Sequence, residues 1–292
     1  MTDYGDYPGY TLYFSNISDY LITRLKFHLV LSSELILQFN IGSFHGGHGA
    51  RIEGVFTLTK GALLNIVVGQ RGGDSVEVKG GSATTQTAAS LGKSIEDNAG
   101  TGGGGGSFVY STSNSLYIAA GGGGGASAGV NGVNGQYSNS GATSSCKNTA
   151  EQGLGGTGGS AGKCCNTGNY HGGVGAGWTS NGASRQSSEH GEAGGSRAQS
   201  WTGGQAGSKN SGNNGGPSPG AVGGFGGGGG GSEDNGASGA GGGYSGGGSG
   251  KYSNCAGGGG GSYCSGTSCT GSSGGNTASE YGFVSVEIVG KF

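Results

Sequence analysis

The side chains best suited to chemistry in this sequence are its six cysteines, and their spacing favours disulfide bonds. No two of them form the C-x-x-C pair that is typical of zinc sites. Cys164 and Cys165 are adjacent, and since a bond between neighbours strains the peptide, we expect them to pair with two different partners. The spacing does not choose among the many possible pairings. The disulfide candidates are Cys146, Cys164, Cys165, Cys255, Cys264 and Cys269.

Histidines and loop motifs indicate no catalytic centre. Only His45 and His48 are close in sequence, and a solvated turn is a better interpretation of this pair than a metal site. Gly92-Lys93-Ser94 resembles the end of a phosphate-binding loop, but Thr87 occupies the position of its first glycine. The blocks Val-Ala-Ile-Lys, His-Arg-Asp and Asp-Phe-Gly of protein kinases do not occur. We therefore predict no enzyme, no catalytic residue, no metal ligand and no cofactor.

Glycine dominates the elements that must position any site. It accounts for 79 of 292 residues, with 14 in residues 1–99 and 65 in the remainder. Collagen would require glycine at every third position and abundant proline, whereas the chain has only 3 prolines. A net charge of −2 and a single Arg-Gly-Gly, at residues 71–73, give no electrostatic footprint for nucleic acid.

The glycine-poor part predicts β-strands. Residues 50–59 alternate in polarity, and residues 63–68 form a continuous apolar run that is too short for a helix. With Lys60-Gly61 as the turn, these two segments predict a hairpin whose second strand is well buried. One face of the first strand carries Ala50, Ile52, Phe56 and Leu58.

Three further strands complete a predicted β framework. They lie at Ser107–Tyr110, Leu116–Ala120 and Phe283–Val289. We predict one domain over residues 42–292, with a framework formed by 50–120 and 282–290 and a glycine-rich insertion at 121–281. Residues 1–41 are treated as a separate N-terminal segment.

Glycine runs such as Gly226–Gly231 and Gly257–Gly261 have no side chains to bury, so their backbone groups need other partners. Extended helices of the polyproline-II type, with three residues per turn, direct these groups outward and allow lateral hydrogen bonds between neighbours. The alternative is a set of flexible linkers, but interspersed aromatic residues and cysteines favour order. The aromatic residues that could contact a partner are Tyr110, Tyr117, Tyr244, Tyr252, Tyr263, Trp178, Trp201 and Phe225.

The order of several blocks resembles the glycine-rich domain of the anaplastic lymphoma kinase and leukocyte tyrosine kinase receptors, over about residues 42–290. The most specific blocks are Val68-Gly69-Gln70-Arg71-Gly72 and Ile118-Ala119-Ala120 followed by Gly121–Gly124. The resemblance implies a β-sandwich related to tumour-necrosis-factor folds that carries a bundle of polyglycine helices. In those receptors the domain is extracellular and takes part in ligand binding.

We therefore expect an extracellular or cell-surface module that binds a protein or glycan. Cysteine usage favours an oxidising compartment, and the sequon Asn16-Ile17-Ser18 agrees with it, although residues 1–10 do not read as a signal peptide and Tyr20–Phe39 is too charged for a membrane span. One alternative is the ectodomain fragment of a receptor tyrosine kinase, with membrane association only through segments outside this chain. Another is a self-associating matrix or coat protein.

Overall fold

The computed structural model describes residues 10–13, 22–32, 36–39, 42–59, 61–74, 100–127, 129–164, 170–207, 222–232, 236–252, 254–277 and 281–291. In these ranges the chain is all-β, as predicted, with thirteen strands and two short 3-10 turns. The elements are β1 Tyr10–Tyr13, β2 Ile22–Ser32, β3 Ile36–Phe39, β4 Gly42–His45, β5 His48–Thr59, β6 Leu63–Val67, β7 Ser107–Ser111, β8 Leu116–Ala120, β9 Ser145–Cys146, η1 Thr149–Glu151, η2 Arg197–Gln199, β10 Cys255–Ala256, β11 Tyr263–Cys264, β12 Thr267–Ser272 and β13 Phe283–Lys291.

Two antiparallel sheets form a sandwich. The first sheet has the order β1-β6-β7-β8-β11, and the second has the order β12-β5-β2-β13. Their facing sides bury one apolar core, so the alternation predicted for residues 50–59 is confirmed. That core contains Ile52, Phe56, Leu58, Leu64, Ile66, Val109, Ile118 and Ala120.

The predicted hairpin between β5 and β6 is wrong, because these strands lie in different sheets. β5 pairs with β2 and β12, whereas β6 pairs with β1 and β7. The turn, in which Gly61 adopts φ +82°, carries the chain across the sandwich. The apolar face of β5 and the apolar residues of β6 meet across the core, which removes both from water.

Segments outside the predicted framework contribute strands to both sheets. Residues 22–32 form β2, which lies between β5 and β13 over its whole length. β11 and β12, at residues 263–264 and 267–272, come from the end of the predicted insertion and join the first and second sheets respectively. The two ends of the chain are thus bound together in one framework.

The glycine-rich segments pack side by side against the first sheet, and their backbone hydrogen bonds run between segments. We call this region the glycine bundle. It comprises residues 69–74, 100–106, 121–127, 132–142, 153–162, 172–177, 191–195, 203–207, 222–232, 239–250 and 257–262.

Hydrogen bonds in the bundle repeat every three residues. Along residues 101–106, consecutive N–H groups donate in rotation to three different neighbouring segments. The lateral bonding predicted from the sequence is therefore confirmed, with the periodicity of a polyproline-II type helix. The polyglycine helix itself and the relation to tumour-necrosis-factor folds stay predictions. The donor–acceptor pairs are Thr101–Ala126 and Gly104–Gly123, Gly102–Gly73 and Gly105–Gln70, and Gly103–Gly229 and Gly106–Gly226.

Residues 239–244 occupy the interior of the bundle and show the same rotation. Their N–H groups reach segments 101–104, 173–176 and 258–261, each contacted twice at a spacing of three. The approach is close: a Cβ at Gly241 would lie 2.1 Å from the carbonyl oxygen of Gly122. Only glycine fits at such a position, since any side chain would overlap the neighbouring backbone.

Candidate functional site

The cysteine candidates that the structure describes lie in three different settings. Cys146 and Cys255 form a disulfide between the paired strands β9 and β10, at the side of the glycine bundle. Cys264 and Cys269 form a second disulfide, which links β11 of the first sheet to β12 of the second. The Sγ of Cys164 lies 3.7 Å from the carbonyl oxygen of Gly250.

Some candidate motifs lie outside the described residues. They are Cys165, Gly92-Lys93-Ser94 and the sequon Asn16-Ile17-Ser18. The prediction that Cys164 and Cys165 take different partners is therefore not tested. In the described part of the chain, no helix is long and apolar enough to cross a membrane.

Most candidate aromatic residues join the sheet to the glycine bundle. Trp201 is only 4% exposed, and its ring stacks on Phe108 of β7 with centroids 4.0 Å apart. The guanidinium of Arg197 lies 5.2 Å from the ring centroid of Trp178 on the outer side of this cluster. These rings pack the first sheet against the glycine bundle, so most of their surface is not available to a partner. Tyr110, Tyr117, Trp178, Phe225, Tyr244 and Tyr263 are half-buried in the two apolar clusters, whereas Tyr252 is exposed.

In the turn through His45 and His48 both histidines are half-buried. Gly46 and Gly47 inside it are buried. The backbone N–H groups of His45 and His48 donate to the side-chain oxygens of Asn131 and Asn134, at 2.9 and 2.8 Å. In the ranges that the structure describes, no group of three or more His, Cys, Asp or Glu side chains is arranged to hold a metal ion.

A different pair of histidines lies together although 19 positions separate them in the sequence. The ring centroids of His171 and His190 are 4.4 Å apart, and Tyr170 and Tyr252 continue the aromatic row, with centroids 6.3 Å apart. The bundle brings the two histidines together, since the N–H of Gly191 donates to the carbonyl oxygen of His171 at 3.0 Å.

Burial controls the ionisation of both rings. It lowers the pKa of His171, and the hydrogen bond from Nδ1 to the carbonyl oxygen of Gly172 opposes this shift in part. Burial, with the positive charges of His171 and Arg185 nearby, lowers the pKa of His190 to about 4. Both imidazoles are therefore neutral at pH 7.

A cleft of about 310 Å³ opens beside His171, and we call it the histidine cleft. Three separate chain segments form it, around residues 162–164, 171–174 and 183–191. Its lining combines glycine backbone with polar and small side chains. The lining residues are Gly162, Lys163, Cys164, His171, Gly172, Gly173, Val174, Ala183, Ser184, Gln186 and Gly191.

Sequence reasoning missed this cleft because its polar residues are far apart in the chain. One sequence feature could have indicated the cleft: each histidine directly precedes glycine, in His171-Gly172-Gly173 and in His190-Gly191. Each of these histidines directly precedes a segment of the glycine bundle, 172–177 or 191–195.

Comparison with family models and with curated proteins finds no match for this chain. The resemblance to the receptor glycine-rich domain therefore stays a prediction that rests on the blocks quoted above.

Proposed function

We propose that this chain is an extracellular binding module in which the glycine bundle holds surface loops in position for a protein or glycan partner. The observation that carries the proposal is the histidine cleft, which combines three segments that the bundle cross-links by backbone hydrogen bonds. A site assembled in this way is organised before the ligand arrives, so binding costs little ordering of the loops.

Two further points support an extracellular setting. The described residues contain two disulfides, and disulfides persist mainly in oxidising compartments. The resemblance to receptor ectodomains points to the same location and to ligand binding. It is also the basis for the alternative that the chain belongs to a receptor tyrosine kinase.

A second candidate function, a self-associating matrix or coat protein, is favoured by strand β13. Phe283, Ile288 and Val289 on this strand are each between 44% and 47% exposed. β13 pairs with β2 on one side and stands last in the order of its sheet. An edge strand with exposed apolar residues can associate with another copy.

Binding of the oxidised, secreted chain to intact cells tests the proposal. We expect saturable binding that disappears when the chain is reduced and unfolded, and pretreatment of the cells with protease or with glycosidases distinguishes a protein from a glycan partner. Sedimentation of the chain alone over a wide concentration range tests the second candidate. A folded monomer that binds no cell would overturn the binding proposal, and reversible assembly without ligand would favour the matrix function.

A further inference from the structure

The size of the histidine cleft limits its ligand to a single ring. Ligand sites commonly span about 300–1000 Å³, and the cleft, at about 310 Å³, lies at the small end of that range. One monosaccharide unit is of suitable size, whereas a peptide segment with several side chains is not. Gly172 and Gly173 contribute only backbone to the lining.

The charges around the cleft favour an anion. The described residues that line the cleft include Lys163 and no acidic residue. Arg185 lies next to it, and its guanidinium donates to the carbonyl oxygens of Ser188 and His190, at 3.2 and 3.4 Å. The acidic residues nearest in the chain are Glu189 and Glu192; neither lines the cleft, although Glu192 lines a neighbouring cavity that shares Ser184 with it.

The hydrogen-bonding groups of the cleft fit a ring with several hydroxyls. The Nδ1 of His171 is 3.0 Å from the carbonyl oxygen of Gly172. Because a carbonyl oxygen only accepts, this nitrogen carries the proton, and Nε2 of the neutral ring is an acceptor. Ser184 and Gln186 can each donate and accept. This combination suits sugar hydroxyls, and Lys163 suits a carboxylate.

His190 lies next to His171 and becomes positively charged when it is protonated. Its side chain is 4% exposed, and within the described residues its Nδ1 has no hydrogen-bond partner. Protonation of this ring, 4.4 Å from His171, places a cation close to a bound anion. The other ionisable groups packed around the pair are Lys163, Cys164, Tyr170, Arg185, Glu189, Lys251 and Tyr252.

We propose that the histidine cleft binds one acidic sugar residue of a glycan. Lys163 binds the carboxylate of the sugar, and His171, Ser184 and Gln186 form hydrogen bonds to its hydroxyl groups. The inference rests on the proposed binding function and narrows the partner to an acidic glycan. A bound carboxylate favours the protonated form of His190, so by linkage its affinity rises as the pH falls towards the pKa of that ring, about 4.

Titration calorimetry of the whole oxidised chain with glucuronate and galacturonate, and with neutral glucose and galactose as controls, tests this inference. We expect only the acidic sugars to bind, and more tightly at a pH of about 4.5, near the pKa of His190, than at about 7.5. Lys163→Gln removes the cation and should lower the affinity by about tenfold or more. The matched control is Lys147→Gln, which changes an exposed lysine outside the cleft lining and should have no effect.

A second variant separates charge from structure. His190→Gln should keep the affinity at neutral pH and remove most of the increase on acidification. Equal binding of acidic and neutral sugars, or unchanged affinity in Lys163→Gln, would overturn the inference. Binding of acetate as strong as that of the acidic sugars would also overturn it, because the hydroxyls would then contribute nothing. A chain that still binds cells saturably but ignores acidic sugars would contradict this inference alone, whereas a chain that binds no cell would contradict the proposed function.

Discussion

The sandwich and the glycine bundle are stabilised in opposite ways. In the sandwich, fully buried side chains such as Leu64 and Ile118 remove apolar surface from water. In the bundle, interior positions such as Gly241 have no side chain, and the buried backbone forms hydrogen bonds to neighbouring segments. Each such bond contributes only about 1 kcal/mol net, but an unpaired buried group costs more than that. The stability of the bundle therefore depends on complete pairing of its backbone hydrogen-bonding groups, and that of the sandwich on a core filled with side chains.

Different substitutions are therefore harmful in the two regions. Removing atoms damages the sandwich, because a cavity forms. Adding a single atom damages the bundle, because backbone already occupies the space. Phe108 and Trp201 lie at the border and show how the regions are joined, through large rings that pack the sheet against glycine segments.

The largest expected effect is the addition of one methyl group inside the bundle. In Gly241→Ala the new Cβ would lie 2.1 Å from the carbonyl oxygen of Gly122, so we expect destabilisation of about 5 kcal/mol or loss of the fold. Denaturant unfolding measures it. Gly158→Ala is the control: Gly158 has φ +60° and nothing within 4 Å of a Cβ, so it should cost about 1–2 kcal/mol. Equal effects of the two changes would mean that the bundle is loosely packed.

Removal of the disulfide between Cys146 and Cys255 should have the next largest effect. It closes a separation of 109 residues, so the double change to serine should lower the free energy of unfolding by up to about 5 kcal/mol on chain-entropy grounds. The same change at Cys264 and Cys269, separated by 5 residues, should cost about 2 kcal/mol. Thermal unfolding of both variants checks the order. A larger loss at the short disulfide would show that the link between the two sheets matters more than the stapling of the bundle.

Leu64→Ala tests how far the sandwich depends on its filled core. Leu64 is fully buried in the sandwich, so truncation should cost about 3 kcal/mol through lost burial and the cavity left behind. Leu154→Ala is the matched control, since Leu154 is 59% exposed in a glycine-rich segment, and it should change stability by less than about 0.5 kcal/mol. Urea unfolding of the two variants gives the difference. Similar losses of unfolding free energy in the two variants would mean that burial in the sandwich core is not the main apolar contribution to stability.

The smallest expected effect concerns pH. The pKa of His190 in the folded chain is about 4, below its ordinary value of 6.5, so between these values the unfolded chain binds the proton more readily. The free energy of unfolding should therefore fall as the pH is lowered from 6.5 to about 4, and His190→Gln should flatten this slope. Unfolding midpoints measured across that range test it, with Ser188→Ala as a control that keeps the slope. If His190→Gln left the slope of unfolding free energy against pH unchanged, a group other than His190 would be responsible for it.

Prediction from the sequence succeeded where the signal is local. Strand alternation in residues 50–59 and the short strands near residues 107 and 116 depend on neighbouring residues only, and all were confirmed. Pairing depends on distant partners, and there the prediction of a hairpin between β5 and β6 was wrong. The histidine cleft was missed for the same reason, since His171 and His190 come together only through hydrogen bonds of separate glycine segments.

The sequence by itself determined an all-β framework, the presence of disulfides and a glycine region that must satisfy its backbone groups laterally, because composition and periodicity specify these locally. Only the tertiary structure decided which segments neighbour each other. A glycine segment has no side chains to distinguish one neighbour from another, so the partners of residues 101–106 follow from the packing of the whole bundle. For the same reason the choice of Cys255 as the partner of Cys146 became evident only in the folded chain.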